Sequence, residues 1–141
     1  MTTIEQLIKL LHDGNYSCVI ANGNDLRFFH QKGIADLYEL LHRMPHFLKG
    51  AQIADKVVGK GAAALMIVGE IKRVHADIIS EPAIQLFQNT SIKVTYTQTV
   101  PAIINRKGDG FCPVESLCAQ ANNAHACIPL IDKFVQTSIT L

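Results

Sequence analysis

Two β-prone runs near the start of the chain, at 17–21 and 26–30, flank the turn-forming residues 22–25 and predict a β-hairpin. A helical pattern at 4–11 precedes the hairpin, and helical and strand patterns alternate after it. A hairpin supplies antiparallel strands, whereas strand–helix alternation supplies parallel ones. The order therefore predicts an α/β fold, a three-layer α/β/α sandwich with a mixed sheet and helices on both faces.

The remaining elements follow from periodicity and from helix start and stop signals. Ser80 suits the N-cap of a helix that has Pro82 in its first turn. Pro45 should break the helical pattern in which it lies. The predicted elements after the hairpin are a helix at 34–48, a helix from Asp55 to about Val68, a strand at 73–79, a helix at 80–88, strands at 92–100 and 102–105, and short helices from Pro113 and from about Ala126.

Composition limits the class of protein. The 141 residues form one domain, 1–141, with 48% apolar and 18% charged residues, which is typical of a folded globular chain. The net charge of +1 and the absence of a basic cluster do not support a nucleic-acid partner. The N-terminus lacks a signal-peptide pattern, and the longest apolar run, 62–68, is too short for a membrane partner. We expect a cytoplasmic protein whose cysteines are thiols.

Two motifs add a resemblance to this pattern. One is Asp-Lys-Val-Val-Gly-Lys at 55–60, and the other is Gly-Asp-Gly-Phe-Cys-Pro-Val-Glu at 108–115. With the element order, they make residues 17–135 similar to an uncharacterised bacterial family of the cytidine-deaminase-like fold. The resemblance implies that fold, and no assigned activity comes with it.

The resemblance also implies where a deaminase would hold zinc. One ligand would come from the start of the helix after the hairpin strands, in 56–69, where this chain has no His, Cys, Asp or Glu. Two cysteines would follow a proline in the next helix, and here Ala83 and Leu86 stand after Pro82. Catalytic zinc needs about three protein ligands. We therefore predict no metal, no cofactor and no deamination.

The segment 55–64 is the first candidate site. Gly59 and Gly61, read as helix-interior glycines, cost about 1 kcal/mol each, which indicates close approach of the backbone to another element or to a ligand. An ammonium group there would attract an anion. The predicted ligand-binding residues are Asp55, Lys56, Gly59 and Lys60.

The segment 105–115 is the second candidate site. Its glycines lie beside basic residues and could form a backbone nest for an anion. Cys112 would be a helix N-cap, where free amides lower the pKa of a thiol, and Glu115 would be the third helical residue. The alternative is a plain capping turn. The predicted catalytic pair is Cys112 and Glu115, and the predicted ligand-binding residues are Asn105, Arg106, Gly108 and Gly110.

Three functions stay open. The first is a protein that binds a small anionic ligand such as a nucleotide, in one pocket lined by both segments. The second is a thiol enzyme or redox protein dependent on Cys112. The third is a structural or interaction protein that assembles with further copies of itself into a homo-oligomer. Whether Cys118 and Cys127 pair with each other or hold a metal is also open.

Overall fold

A computed structural model describes residues 2–31, 34–103 and 113–140. The predicted hairpin is present, and helices alternate with single strands after it. The elements are α1 (Ile4–Asp13), β1 (Cys18–Asn22), β2 (Asp25–Phe29), α2 (Ala35–Arg43), α3 (Pro45–Leu48), β3 (Gln52–Val58), α4 (Lys60–Val68), β4 (Arg73–Ser80), α5 (Glu81–Phe87), β5 (Lys93–Val100), α6 (Pro113–Cys118) and α7 (Ala124–Thr140).

The five strands form one mixed sheet in the order β2-β1-β3-β4-β5. Strand β1 runs antiparallel to both β2 and β3, while β3, β4 and β5 are mutually parallel. One cross-strand row contains Cys18, Asp55, Ala76 and Tyr96. The prediction of a mixed α/β sheet is confirmed.

Helices cover both faces of this sheet. Helix α1 starts with a capping box between Thr3 and Gln6, which satisfies amides that have no partner within the helix. Its buried side chains Leu7 and Leu11 pack in a small core with residues of β1 and β3, such as Ala54. The larger core joins the other face of the sheet to the remaining helices.

Helix α4 lies at the centre of the larger core. Every residue from Lys60 to Met66 is buried, and the helix contacts α2, α5, α6 and α7. The short side chains of Gly61 and the following alanines allow this close packing. A Cβ atom on Gly61 would overlap Cγ1 of Val114 in α6. The glycine therefore serves helix–helix packing.

The structure corrects three sequence predictions. Asp55 does not cap a helix, because it lies inside β3, and α4 begins only at Lys60. Gly59 is the N-cap of α4 and not an interior residue. Asp55 and Lys56 are polar and lie in the middle of β3, so the strand lacks a continuous apolar run in the sequence. It nevertheless pairs with both β1 and β4. Residues 102–103 are not in a strand, and 104–105 lie outside the described residues.

Local signals predicted several other boundaries. The helix pattern at 34–48 is divided by Pro45, which starts α3. The Ser80 hydroxyl accepts a hydrogen bond from the Ala83 amide and caps α5 as predicted. The described part of α6 begins at Pro113. Helix α7 differs from its prediction, because it starts at Ala124 rather than at about Ala126 and is longer, with 17 residues. Within the described ranges, none of the helices combines the length and apolar character needed to cross a bilayer.

Candidate functional site

The amino end of α4 holds a buried carboxylate. Glu115 of α6, which is 6% exposed, accepts a hydrogen bond at Oε2 from the Lys60 amide at 3.2 Å. Its Oε1 accepts from the Ile103 amide at 3.4 Å. A Cβ atom on Gly59 would overlap Oε2, so the absent side chain makes room for the carboxylate. The charge is favourable there because the amino end of a helix is the positive end of its dipole.

The side chain of Lys60 is also buried, and its ammonium group contacts two backbone carbonyl groups. Lys60 is 9% exposed, and its Nζ donates to the carbonyl of Ala121 at 2.6 Å and to that of Ala119 at 3.4 Å. These carbonyls follow the last residue of α6, where helix carbonyls lack partners within the helix. Lys60 therefore links the start of α4 to the end of α6.

Two thiols lie beside the ammonium group of Lys60. Cys118 and Cys127 are both free and fully buried, and the interaction between the two thiols couples their ionisation. This interaction raises the pKa of Cys118 and lowers that of Cys127 to about 7, with a further lowering from Lys60. Cys127 is thus the thiol of the pair that ionises first.

Asp55 and Lys56 lie away from Lys60. The Asp55 carboxylate accepts from the Val57 amide at 3.2 Å, and burial raises its pKa to about 7, with smaller contributions from nearby carboxylates. Cys18 lies opposite Asp55 on the neighbouring strand, and burial above all raises the pKa of its thiol. The ammonium group of Lys56 donates to the Oδ1 atom of Asn15, at the end of α1.

The structure therefore joins some of the predicted site residues and separates others. Gly59, Lys60 and Glu115 meet at the start of α4, whereas Asp55 and Lys56 contact other partners. The remaining predicted residues lie outside the described ranges, so their roles stay predictions; they are Asn105, Arg106, Gly108, Gly110 and Cys112.

Sequence spacing does not reveal a third polar cluster. On the face of the sheet covered by α1, His12 Nε2 lies 2.8 Å from an oxygen of Asp77, and His75 Nε2 lies 3.6 Å from the other. His75 Nδ1 is 2.9 Å from the Thr95 hydroxyl. Burial lowers the pKa of His75. His12 and Asp77 are 65 positions apart, so only the fold could bring them together.

Cavities lined by described residues lie elsewhere on the surface. One of about 340 Å³ follows α1 beside Lys9 and Asp13. Another, of about 460 Å³, lies between Lys49 and Ile92. Neither includes Gly59, Lys60 or Glu115.

The residues at the positions of the deaminase ligands do not fit zinc. The start of α4 presents Lys60 and Gly61, and the start of α5 contributes one carboxylate, Glu81. A cationic lysine opposes a divalent metal, and catalytic zinc needs about three donors. Among the described residues, no three His, Cys, Asp or Glu side chains are arranged to hold a metal.

The fold defines a class, namely α/β domains with a mixed five-stranded sheet. The chain belongs to the TM1506 family, a domain of unknown function (DUF1893), whose model matches residues 6–135. It is similar to the crystal structure of a DUF1893 family protein (TM1506) from Thermotoga maritima, with a TM-score of 0.84 and 24% identity over 92% of this chain and 88% of that one. At that identity the likeness shows the fold alone. No curated protein matches.

Proposed function

We propose that this domain is a zinc-free, cytoplasmic binding protein of cytidine-deaminase-like architecture, whose ligand is a small anion such as a nucleotide. The architecture is supported by the element order, with a helix and a hairpin before alternating helices and strands. The binding place is the carboxyl end of β3, where ligands of open α/β sheets commonly lie.

The observation that carries the proposal is the carboxylate of Glu115 at the amino end of α4. Charged side chains are rarely buried without a reason, and here a carboxylate and the ammonium group of Lys60 are buried on either side of one helix start. The Lys60 amide donates its hydrogen bond to a carboxylate oxygen of Glu115, and Gly59 provides the space for that oxygen. An anionic ligand at this place would compete with Glu115.

Competition with Glu115 can be tested with Glu115→Gln, which keeps the shape of the side chain and removes its charge. We expect the variant to bind inorganic phosphate and a nucleoside monophosphate about tenfold more tightly than the wild type, because a like charge has left the site. Affinities would be measured by calorimetry. Native mass spectrometry of the purified protein would report bound ligand and metal.

Glu81→Gln is the matched control, since Glu81 is an exposed carboxylate in the first turn of another helix. It should leave phosphate affinity unchanged. The proposal fails if neither probe binds the wild type or Glu115→Gln. A tightly held zinc ion together with nucleoside turnover would also contradict it.

Cys118 and Cys127 favour a second candidate, a redox protein. The lowered pKa of Cys127 favours its thiolate for attack on a low-molecular-weight disulfide, but because both thiols are buried, the packing of α6 against α7 must first open to admit the reagent. The mixed disulfide is then attacked by Cys118, so the protein loses two electrons and two protons in forming one S–S bond, and the reagent leaves as two thiols. The lysine beside them stabilises the attacking thiolate.

Oxidation of this pair should stabilise the domain by about 2–3 kcal/mol, because the bond would close a short loop between α6 and α7 in the unfolded chain. Denaturant unfolding before and after treatment with oxidised glutathione would measure the gain, with Cys127→Ser as the control that cannot form the bond. Peptide mass spectrometry after brief alkylation would show which thiol reacts first. First reaction at Cys112 would support that residue's predicted role instead. Failure to form the bond would exclude this candidate.

A further inference from the structure

We propose that β5 is the contact surface for a second copy of this chain, which adds its own β5 in antiparallel orientation. The two five-stranded sheets would then continue as one sheet of ten strands. The observations behind this proposal are separate from those at α4, so it does not depend on the ligand proposal.

Among the described residues, no strand pairs with the outer edge of β5. Strand β5 is the last strand of the sheet, and among the described residues only β4 pairs with it. All five residues of 95–99 are exposed, although their side chains alternate between the two faces, and Tyr96 is 46% exposed. Soluble proteins protect such edges with proline, charge or a bulge. No charged residue or proline occurs between Val94 and Val100.

The edge is also self-complementary. Residues 94–100 read Val-Thr-Tyr-Thr-Gln-Thr-Val, which is nearly a palindrome centred on Thr97. A two-fold axis through Thr97 is the closed symmetry that a homodimer needs. In that register Val94 faces Val100 of the other copy, Thr95 faces Thr99, Tyr96 faces Gln98, and Thr97 faces Thr97.

The pairing brings no like charges together. Lys93 is the only charged residue of the strand, and it would lie opposite Pro101. Facing threonines can form cross-strand hydrogen bonds, which stabilise antiparallel pairs. The hydroxyl groups of Thr95 and Thr97 already lie 2.9 Å and 3.5 Å from the ring nitrogens of His75. These contacts hold both side chains in place and reduce the entropy lost on pairing.

The size of the contact sets the expected affinity. One pair of eight-residue strands buries less surface than the roughly 1,200 Å² typical of tight complexes. We therefore expect a concentration-dependent dimer with a dissociation constant in the micromolar range. Sedimentation velocity over a wide concentration range would measure it.

A cysteine scan tests the register directly. Thr97→Cys, in a Cys112→Ser background, should form a disulfide-linked dimer under mild oxidation, because residue 97 faces itself at a distance that a disulfide spans. Thr99→Cys is the matched control. It faces residue 95, so its two copies lie about 13 Å apart and should not crosslink.

A charge substitution tests the interface without oxidation. Thr97→Lys places two ammonium groups face to face and should raise the dissociation constant at least about tenfold, whereas Thr99→Lys faces threonine and should raise it far less. Thermal unfolding would check that both variants are folded. A wild type that stays monomeric at high concentration overturns the proposal. The proposal is also overturned if the Thr97→Lys variant still dimerises and the Thr97→Cys variant does not crosslink, because another surface must then form the dimer. A monomer whose β5 amides resist hydrogen exchange would show that the chain covers its own edge.

Discussion

Replacing Asp55 by asparagine is expected to stabilise the domain at neutral and alkaline pH, by about 1–4 kcal/mol. Burial raises the pKa of this carboxyl group in the folded chain from an ordinary 3.8 to about 7. Asparagine keeps an oxygen that can accept from the Val57 amide, and it carries no charge to bury. The gain is reduced to the extent that solvent reaches the side chain.

The sign of the pH dependence follows from proton uptake. Between about pH 4 and about pH 7, folded Asp55 retains a proton that the unfolded chain has released, so the free energy of unfolding falls as pH rises. Asp55→Asn should remove this part of the slope, and the two proteins should converge in stability at acidic pH. Denaturant unfolding across that range measures the difference.

Asp25→Asn is the control for loss of a carboxylate, because Asp25 is exposed on the hairpin and pairs with Arg27. It should not reproduce the gain seen with Asp55→Asn. If Asp55→Asn instead destabilises the domain equally at acidic and alkaline pH, the charge of Asp55 does not lower the stability of the folded chain. The carboxyl group of Asp55 would then act as a hydrogen-bond partner.

Gly61→Leu is expected to destabilise the domain by more than about 3 kcal/mol or to prevent folding, because the new side chain has no space between α4 and α6. Gly61→Ala is the milder variant. Its methyl group would overlap Val114, at a cost of about 1–3 kcal/mol, while alanine favours the helix by about 1 kcal/mol.

A double-mutant cycle identifies the contact. Val114→Ala alone should be destabilising because it leaves a cavity, but in the Gly61→Ala background the new methyl group would use part of that space. The double variant should therefore be more stable than the sum of the single effects predicts, by about 1 kcal/mol. Strict additivity would mean that residues 61 and 114 do not share a packing site.

Local chemistry made much of the fold predictable. The hairpin follows from a turn sequence between two β-prone runs, and the start of α5 follows from Ser80 and Pro82, because these signals act within a few residues. Strand β3 has no such signal. Its polar residues Asp55 and Lys56 are held in a strand by pairing with β1 and β4, which are distant in sequence.

The candidate site was predictable in its parts. Gly59, Lys60 and Glu115 each stood out in the sequence, as glycine and lysine in one motif and glutamate in another. Their meeting at the start of α4 could not be foreseen, since 55 positions separate Lys60 from Glu115. Distance in sequence likewise conceals the cross-strand pairing of Cys18 with Asp55, and the burial that raises the pKa of that aspartate.

The symmetric run at 94–100 shows where sequence and structure divide. The sequence by itself determined the hairpin, the helix–strand alternation and the near-palindrome of β5, because all of these depend on neighbouring residues. Only the tertiary structure decided that β5 lies at the edge of the sheet, that Asp55 is partly buried and that Glu115 reaches α4. Those facts depend on contacts between segments that are distant in sequence. Burial of apolar surface in the shared core brings such segments together, and local conformational preference does not.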